Sequence, residues 1–397
     1  PHFRPPTTRH DMIDWSRALG RRFTGGVTPQ KPQDWAKYKY PFIYGQPDPS
    51  LFDHASWRHC ALRSLGQKDF QALAADAYDQ DDPKLIEFIA RHTLPRRGIL
   101  AQQGEILLTL GAQNALWLAS QVLLTQRRTA AIEEPCYHAL RDILMQSRCP
   151  LVPVGVDSNG LPPERIPEEA DVIFTTPSHQ SPTNATMPIE RRRLLLQRAR
   201  EIDAIVLEDD YEFEISFLRA PLPSLKSLDE DGRVIYVGSF SKSIFPGLRI
   251  GYLVGPQSFI HEARALRASV LRHPPGHMLR TAAYFLSLGH YDSMIRIIGR
   301  VYGQRRAVME QALHDHSLGI EGSGAFGGSS IWMRAPENLD TSALDKRLRA
   351  KGVLIEPGRS FFGGDNPPQN FYRLAYSSIS AERIPRGIEI LAAELMK

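Results

Sequence analysis

The chain has 397 residues, of which 42% are hydrophobic and 23% charged, and a formal net charge of +4. This excludes a disordered or low-complexity polymer, and the charge is too mild to mark a nucleic-acid-binding surface. The length suits a large core and two domains, while no apolar run reaches the roughly 20 residues needed to cross a bilayer. The first residues carry no signal-peptide apolar core, so a cytoplasmic protein without a membrane partner is expected. Cys60, Cys136 and Cys149 have neither disulfide parity nor metal-ligand spacing, so they read as reduced structural thiols, with no metal site. Arg191-Arg192-Arg193 and Arg305-Arg306 read as solvated helix faces rather than nucleic-acid contacts.

In chain order, residues 1–48 form an irregular arm, broken by Pro5-Pro6, Gly25-Gly26, Pro29 and Pro32. The aromatics Trp35, Tyr38, Tyr40, Phe42 and Tyr44 predict that its end packs against the body of the protein. A helix starts near Asp53 and runs through Trp57 to Leu65, and another covers 83–92. From about 105 to 255, strands at 106–110, 129–133, 151–156, 171–175, 204–208, 234–238 and 250–254 alternate with helices at 114–124, 137–146 and 189–202. Several strands are continuously apolar, as expected where helices cover both faces of a mostly parallel sheet. The pattern predicts an α/β large domain over 49–275 with a seven-stranded sheet, and 49–75 able to pack with the next domain. Residues 276–397 read as a smaller α+β domain: a helix over 278–313, a glycine-rich strand region at 322–334, a helix at 341–351, strands near 353–355 and 372–376, and a terminal helix.

The chemistry gathers at strand ends. After the apolar run 234–238 come Ser239, Ser241, Lys242 and, further on, Arg249. An amine amid hydroxyls, followed by a guanidinium, suits a phosphorylated aldehyde: Lys242 forms the imine while the hydroxyls and Arg249 hold the phosphate. Burial at a strand end strips water from the lysine and favours its nucleophilic amine. The run 205–208 ends in Asp209 and Tyr211, which share a side because residues two apart on extended chain do so. A carboxylate there can keep a pyridine nitrogen protonated, and a phenol can hydrogen-bond the ring 3-hydroxyl. Gly111, Ala112 and Gln113 open a helix whose amide groups suit phosphate. Tyr137, after Glu133-Glu134-Pro135, is placed to stack on a ring, and an X-Pro bond in the polar loop 175–184 could be cis. Arg373 suits a substrate carboxylate.

These motifs, in this order, resemble fold type I (class I/II) PLP-dependent aminotransferases from about Phe42 onward. More narrowly, the chain resembles the aminotransferase-like domain of MocR (GntR-type) regulators. The narrower match rests on Gly45-Gln46-Pro47-Asp48, Leu51-Phe52, Trp57, Thr176-Pro177-Ser178-His179-Gln180, Glu208-Asp209-Asp210-Tyr211 and Ser241-Lys242-Ser243-Ile244-Phe245-Pro246. The resemblance implies pyridoxal 5'-phosphate as cofactor and transamination of an amino acid to a keto acid through a Lys242 Schiff base and a quinonoid intermediate. It implies Asp209 at the ring nitrogen, Tyr211 at the 3-hydroxyl, and phosphate contacts from Ala112, Gln113, Ser239, Ser241 and Arg249. It also implies stacking by Tyr137, a carboxylate clamp at Arg373, and a homodimer in which Tyr78 reaches the partner's phosphate. Ser181 stands in the loop where ordinary aminotransferases place an asparagine near the ring, leaving Tyr211 as the main partner of the 3-hydroxyl. The alternatives are a PLP- or amino-acid-sensing effector domain of a MocR-type regulator, in which this chain itself touches no nucleic acid, and another PLP reaction such as racemisation.

Overall fold

The structure is a computed structural model that describes residues 13–19, 32–76, 78–322 and 324–397. The arm supplies a two-residue strand, β1 (Tyr40–Pro41). The central strands are β2 (Ile106–Thr109), β3 (Thr129–Glu134), β4 (Leu151–Gly155), β5 (Ala170–Thr175), β6 (Ile205–Asp209), β7 (Val234–Ser239) and β8 (Gly251–Val254). Beyond them lie β9 (Ser330–Arg334), β10 (Val353–Leu354), β11 (Glu356–Pro357) and β12 (Phe371–Ala375).

The seven central strands form one sheet in the order β2-β8-β7-β6-β5-β3-β4, and the sequence places all seven within a residue or two. β8 runs antiparallel to both neighbours, and the other pairings are parallel. This makes the sheet mostly parallel, as its apolar strands predict: β2 and β7 are buried along their whole length. Because β3, β5, β6 and β7 point the same way, their carboxyl ends share one edge. β2 ends there too, and β8 begins there. Every strand-end motif therefore reaches a common rim, where open α/β sheets bind ligands.

A smaller antiparallel sheet, β11-β12-β9, stands apart from the first, and β1 pairs in parallel with β10. The arm's aromatics do pack inward, with Phe42 fully buried and Tyr40 and Tyr44 nearly so. The helix His54–Ser64 begins on Asp53, whose carboxylate accepts from the Ser56 amide at 3.0 Å. It meets the helix Gly276–Ser287, where the Ser64 and Thr281 hydroxyls lie 2.9 Å apart.

Two expectations need correction. The helix expected over 278–313 is two helices, Gly276–Ser287 and His290–Asp315, separated at Gly289, which takes the left-handed conformation (φ 82°) that breaks a helix. The arginine clusters are only partly solvated faces: Arg193 is exposed and Arg191 half-buried, but Arg192, Arg305 and Arg306 are buried. Arg192 donates to the carbonyls of Met187, Pro223 and Pro177 at 3.0, 2.8 and 3.0 Å. Arg306 donates to the carbonyls of Gly324 and Gly327, and Arg305 to that of Ser377 while pairing with Asp48. Loop carbonyls without a ladder partner need donors, and the guanidinium fork supplies several at once.

Close packing beside the rim makes one glycine testable. A Cβ on Gly238 would overlap the Tyr252 ring. Gly238→Ala is therefore expected to cost about 1–3 kcal/mol in a denaturant titration. An unchanged midpoint would show that the two strands separate freely.

Candidate active site

A cavity of about 300 Å³ opens at the sheet rim, within the size range of small-molecule sites. Lys242 enters it from the turn after β7. That turn folds back through the Phe240 amide, which donates to the Ile250 carbonyl at 3.0 Å, and the Ile244 amide, which donates to the Phe240 carbonyl at 2.9 Å. The Ser241 amide donates to the Ser239 hydroxyl at 3.1 Å. Both serines line the cavity, and the buried Ser241 hydroxyl has no hydrogen-bond partner among the described residues.

The acidic run at the end of β6 divides by strand alternation. Glu208 faces away from the cavity and accepts from the amides of Leu225 and Lys226 at 2.9 and 2.8 Å, holding the start of a short helix. Asp210 accepts from Arg97 Nε at 2.6 Å and from the Tyr236 hydroxyl at 2.8 Å. Burial would raise Asp210, but the Arg97 guanidinium and its hydrogen bonds hold its carboxyl below the usual range. Asp209 alone lines the cavity. Its Oδ1 is buried without a hydrogen-bond partner among the described residues, and burial, then the Asp210 and Glu133 charges, push its carboxyl up to about 8. A carboxylate placed this way is completed by a buried cationic N–H.

Opposite, Gly111 opens the helix Gly111–Leu123 at φ 78°. A Cβ on Gly111 would touch the Arg249 guanidinium at 3.0 Å, and one on Gly251 would meet the Gly111 carbonyl carbon at 2.6 Å. Only glycines let the helix start, β8 and Arg249 approach this closely. Ala112, Gln113 and Arg249 line the cavity, and Arg249 Nη2 donates to the Leu110 carbonyl at 3.1 Å. Amide groups at a helix start, two serine hydroxyls and a guanidinium form an anion cradle.

Tyr137 and Ser181 reach the cavity on loops tied to one buried carboxylate. Glu133 accepts from Thr175 Oγ1 at 2.7 Å, Thr176 Oγ1 at 2.6 Å and Gln180 Nε2 at 3.1 Å. Gln180 Nε2 also donates to the Pro135 carbonyl at 2.7 Å and the Ser181 carbonyl at 3.0 Å. The Thr-Pro-Ser-His-Gln segment thus acts as a brace between these loops. The Ser181-Pro182 bond is cis, as is Glu134-Pro135.

Tyr211 and Tyr44 line the cavity together, and burial, then the Glu212 charge, raise the Tyr211 hydroxyl above its ordinary value. Arg373 sits at the far end with its guanidinium 3.8 Å from the Tyr44 ring centroid, and Lys242 Nζ lies 4.2 Å from the same centroid. Arg373 is already ion-paired: Nε and Nη2 reach Glu356 Oε2 at 2.7 and 2.6 Å, with both side chains 4% exposed. β11 sets Glu356 directly across from Arg373 on β12.

Of the residues expected at a site, Lys242, Asp209, Tyr211, Ala112, Gln113, Tyr137, Ser181, Ser239, Ser241, Arg249 and Arg373 line this one cavity. Gly111 sits just behind it against Arg249. Tyr78 does not line it and is 53% exposed. Tyr44 and Glu356 were not singled out as site residues. The Phe-Ile-Tyr run of the arm hinted at burial but not at chemistry, and Glu356 carries no motif.

The sequence model of the family "Aminotransferase class I and II" matches residues 66–391, and the chain belongs to that family. The chain is 56% identical over 382 residues, covering 96% of its length, to "HTH-type transcriptional regulator TauR" of Rhodobacter capsulatus, 79% of which is covered. It is 30% identical over 362 residues, 89% of its length, to the "Probable rhizopine catabolism regulatory protein MocR" of Rhizobium meliloti, 72% of which is covered. Among solved structures it resembles LysN, an alpha-aminoadipate aminotransferase of Thermus thermophilus, with a TM-score of 0.84 and 27% identity over 97% of this chain and 98% of that one. The fold is that of the fold type I PLP aminotransferases, and the cofactor is pyridoxal phosphate. The residues present fit that group: the unpartnered Asp209 carboxylate suits its ring nitrogen, and the unpartnered Ser241 hydroxyl suits its phosphate.

Proposed function

We propose that this chain is a pyridoxal-phosphate-dependent effector module of a MocR-type regulator, which recognises an amino compound by amine exchange at Lys242. The observation that carries this reading is the extensive identity to a named HTH-type regulator, supported by a cavity that gathers Lys242, Asp209, Tyr211 and Arg249. When bound, pyridoxal phosphate supplies an aldehyde that condenses with amines and a ring that draws electrons from them. Lys242 would hold the aldehyde carbon and yield it to an incoming amine. Asp209 would keep the ring nitrogen protonated, Tyr211 would hydrogen-bond the ring hydroxyl, and Tyr137 would cover one ring face. Ser239, Ser241, Arg249 and the helix start at 111–113 would hold the phosphate. Arg373 would receive the acid group of the ligand.

The second reading is turnover as an aminotransferase, favoured by the presence of Lys242 and Asp209 together, the proton-moving amine and the ring-charging acid. A panel of amino compounds added to the loaded protein separates the two. A stable change in visible absorbance without keto-acid release supports the effector module; steady release of keto acid over many turnovers overturns it in favour of the enzyme.

The Glu356 pairing gives a further expected result. An incoming acid must share Arg373 with that carboxylate, so Glu356→Gln should tighten binding of carboxylate-bearing amino compounds by about tenfold, roughly 1.4 kcal/mol. Arg373→Ala should weaken it. Absorbance titrations read both, and equal affinities in wild type and Glu356→Gln would show that ligands do not use Arg373.

A further inference from the structure

A second and much smaller cavity of about 10 Å³, near the space one water molecule occupies, shares Lys242 and Ser241 with the first and is not lined by Asp209. Glu212, Tyr302, Ser329 and Ser377 are among its other lining residues, and Glu212 is the one carboxylate there. Glu212 lies in the turn after β6 and lines this cavity, whereas its neighbour Tyr211 lines the larger one.

Glu212 is 2% exposed. Its Oε1 accepts from the Ser329 hydroxyl at 2.5 Å, whereas its Oε2 is buried with no hydrogen-bond partner among the described residues. Burying a carboxylate half satisfied is costly unless a positive charge compensates it. The Lys242 and Arg373 cations act on it: burial raises the Glu212 carboxyl above its ordinary value, and the Ser329 hydrogen bond, Lys242 and Arg373 offset only part of that rise. Neither the cofactor cradle nor the ligand clamp uses this side chain.

We infer that Glu212 is a positioning residue for Lys242: across the small cavity its carboxylate holds the lysine nitrogen in the protonated, positively charged form. This inference rests on Lys242 being the residue that carries pyridoxal phosphate. Amine exchange begins on a protonated imine nitrogen, because the charge makes its carbon electrophilic, so Glu212 would keep the site ready at neutral pH. Other groups facing the nitrogen do not replace it. Asp209 serves the ring from β6, and Glu356 is spent on Arg373 across β11 and β12. Tyr211, Tyr44 and Tyr137 are phenols whose burial raises them above their ordinary value. Tyr302 and Tyr376, near Glu212, are raised by burial as well. Arg249 and Arg373 are cations and oppose a charge on the lysine. Glu212 is therefore the remaining negative charge at the small cavity beside the lysine.

The test is a pH titration of the visible absorption of the pyridoxal-phosphate-loaded protein, which reports the proton on the Lys242 nitrogen. Glu212→Gln should move the midpoint down by about 1–2 pH units, and Glu212→Asp, which keeps the charge, should restore most of the shift. Should Glu212→Gln fail to fold, Ser329→Ala removes the hydroxyl that favours the charged carboxylate and should move the midpoint in the same direction. A fully loaded Glu212→Gln protein with the wild-type midpoint would overturn the inference, as would an unmoved midpoint in Ser329→Ala where that variant stands in. A wild-type protein with no lysine-dependent band would instead overturn the assignment of Lys242.

Discussion

Replacing Lys242 with alanine is expected to abolish the visible band of the Lys242 imine and to slow amine exchange by about 10²- to 10⁴-fold. The lysine is the amine of the rim turn, set between the anion cradle and Asp209. Its backbone turn is held by the amides of Phe240 and Ile244, not by its side chain, so the cofactor-free variant keeps its fold. Thermal unfolding of that variant should match the wild type, while the absorbance spectrum loses its band. A retained band with normal exchange would move the covalent site elsewhere.

Asp209→Asn has the second large effect, with opposite signs in the loaded and cofactor-free proteins. In the loaded protein the carboxylate would hold the ring nitrogen protonated; asparagine could not, and exchange should fall by about 10²-fold or more. In the cofactor-free protein the same carboxylate is a burden. Its acidity lies near 8 when folded, because burial and the Asp210 and Glu133 charges oppose ionisation, against about 4 when unfolded. Between these values the folded state binds the extra proton, so its contribution is present below about pH 4 and lost as pH rises through about 8. Cofactor-free Asp209→Asn should therefore melt above the wild type at pH 8, with the gap closing towards pH 4. Thermal scans at several pH values check this, and an Asn variant that melts lower at pH 8 would mean that Asp209 is already charge-paired without the cofactor.

The large sheet was legible because its strands are apolar throughout, a pattern that survives any tertiary context. The site was legible wherever its residues sit at the ends of those strands, as Asp209, Tyr211, Ser239, Ser241 and Lys242 do. What arrives by tertiary folding left no local trace. Tyr44 comes from the arm through the pairing of β1 with β10. Glu356 enters because a two-residue strand places it opposite Arg373. Glu212 stands in an acidic run, and only the turn after β6 brings it to the small cavity beside Lys242. The arginine clusters misled for a related reason: Arg192 and Arg306 lie on helices, yet the carbonyls they satisfy belong to distant loops.

The measurement bearing most directly on function is borohydride reduction of the pyridoxal-phosphate-loaded protein, followed by peptide mass mapping. The added pyridoxyl group is expected on Lys242 alone, and a prior incubation with a recognised amino compound should remove it from the protein and leave it on that compound. A label spread over other lysines, or one that no amino compound displaces, would contradict amine exchange at Lys242.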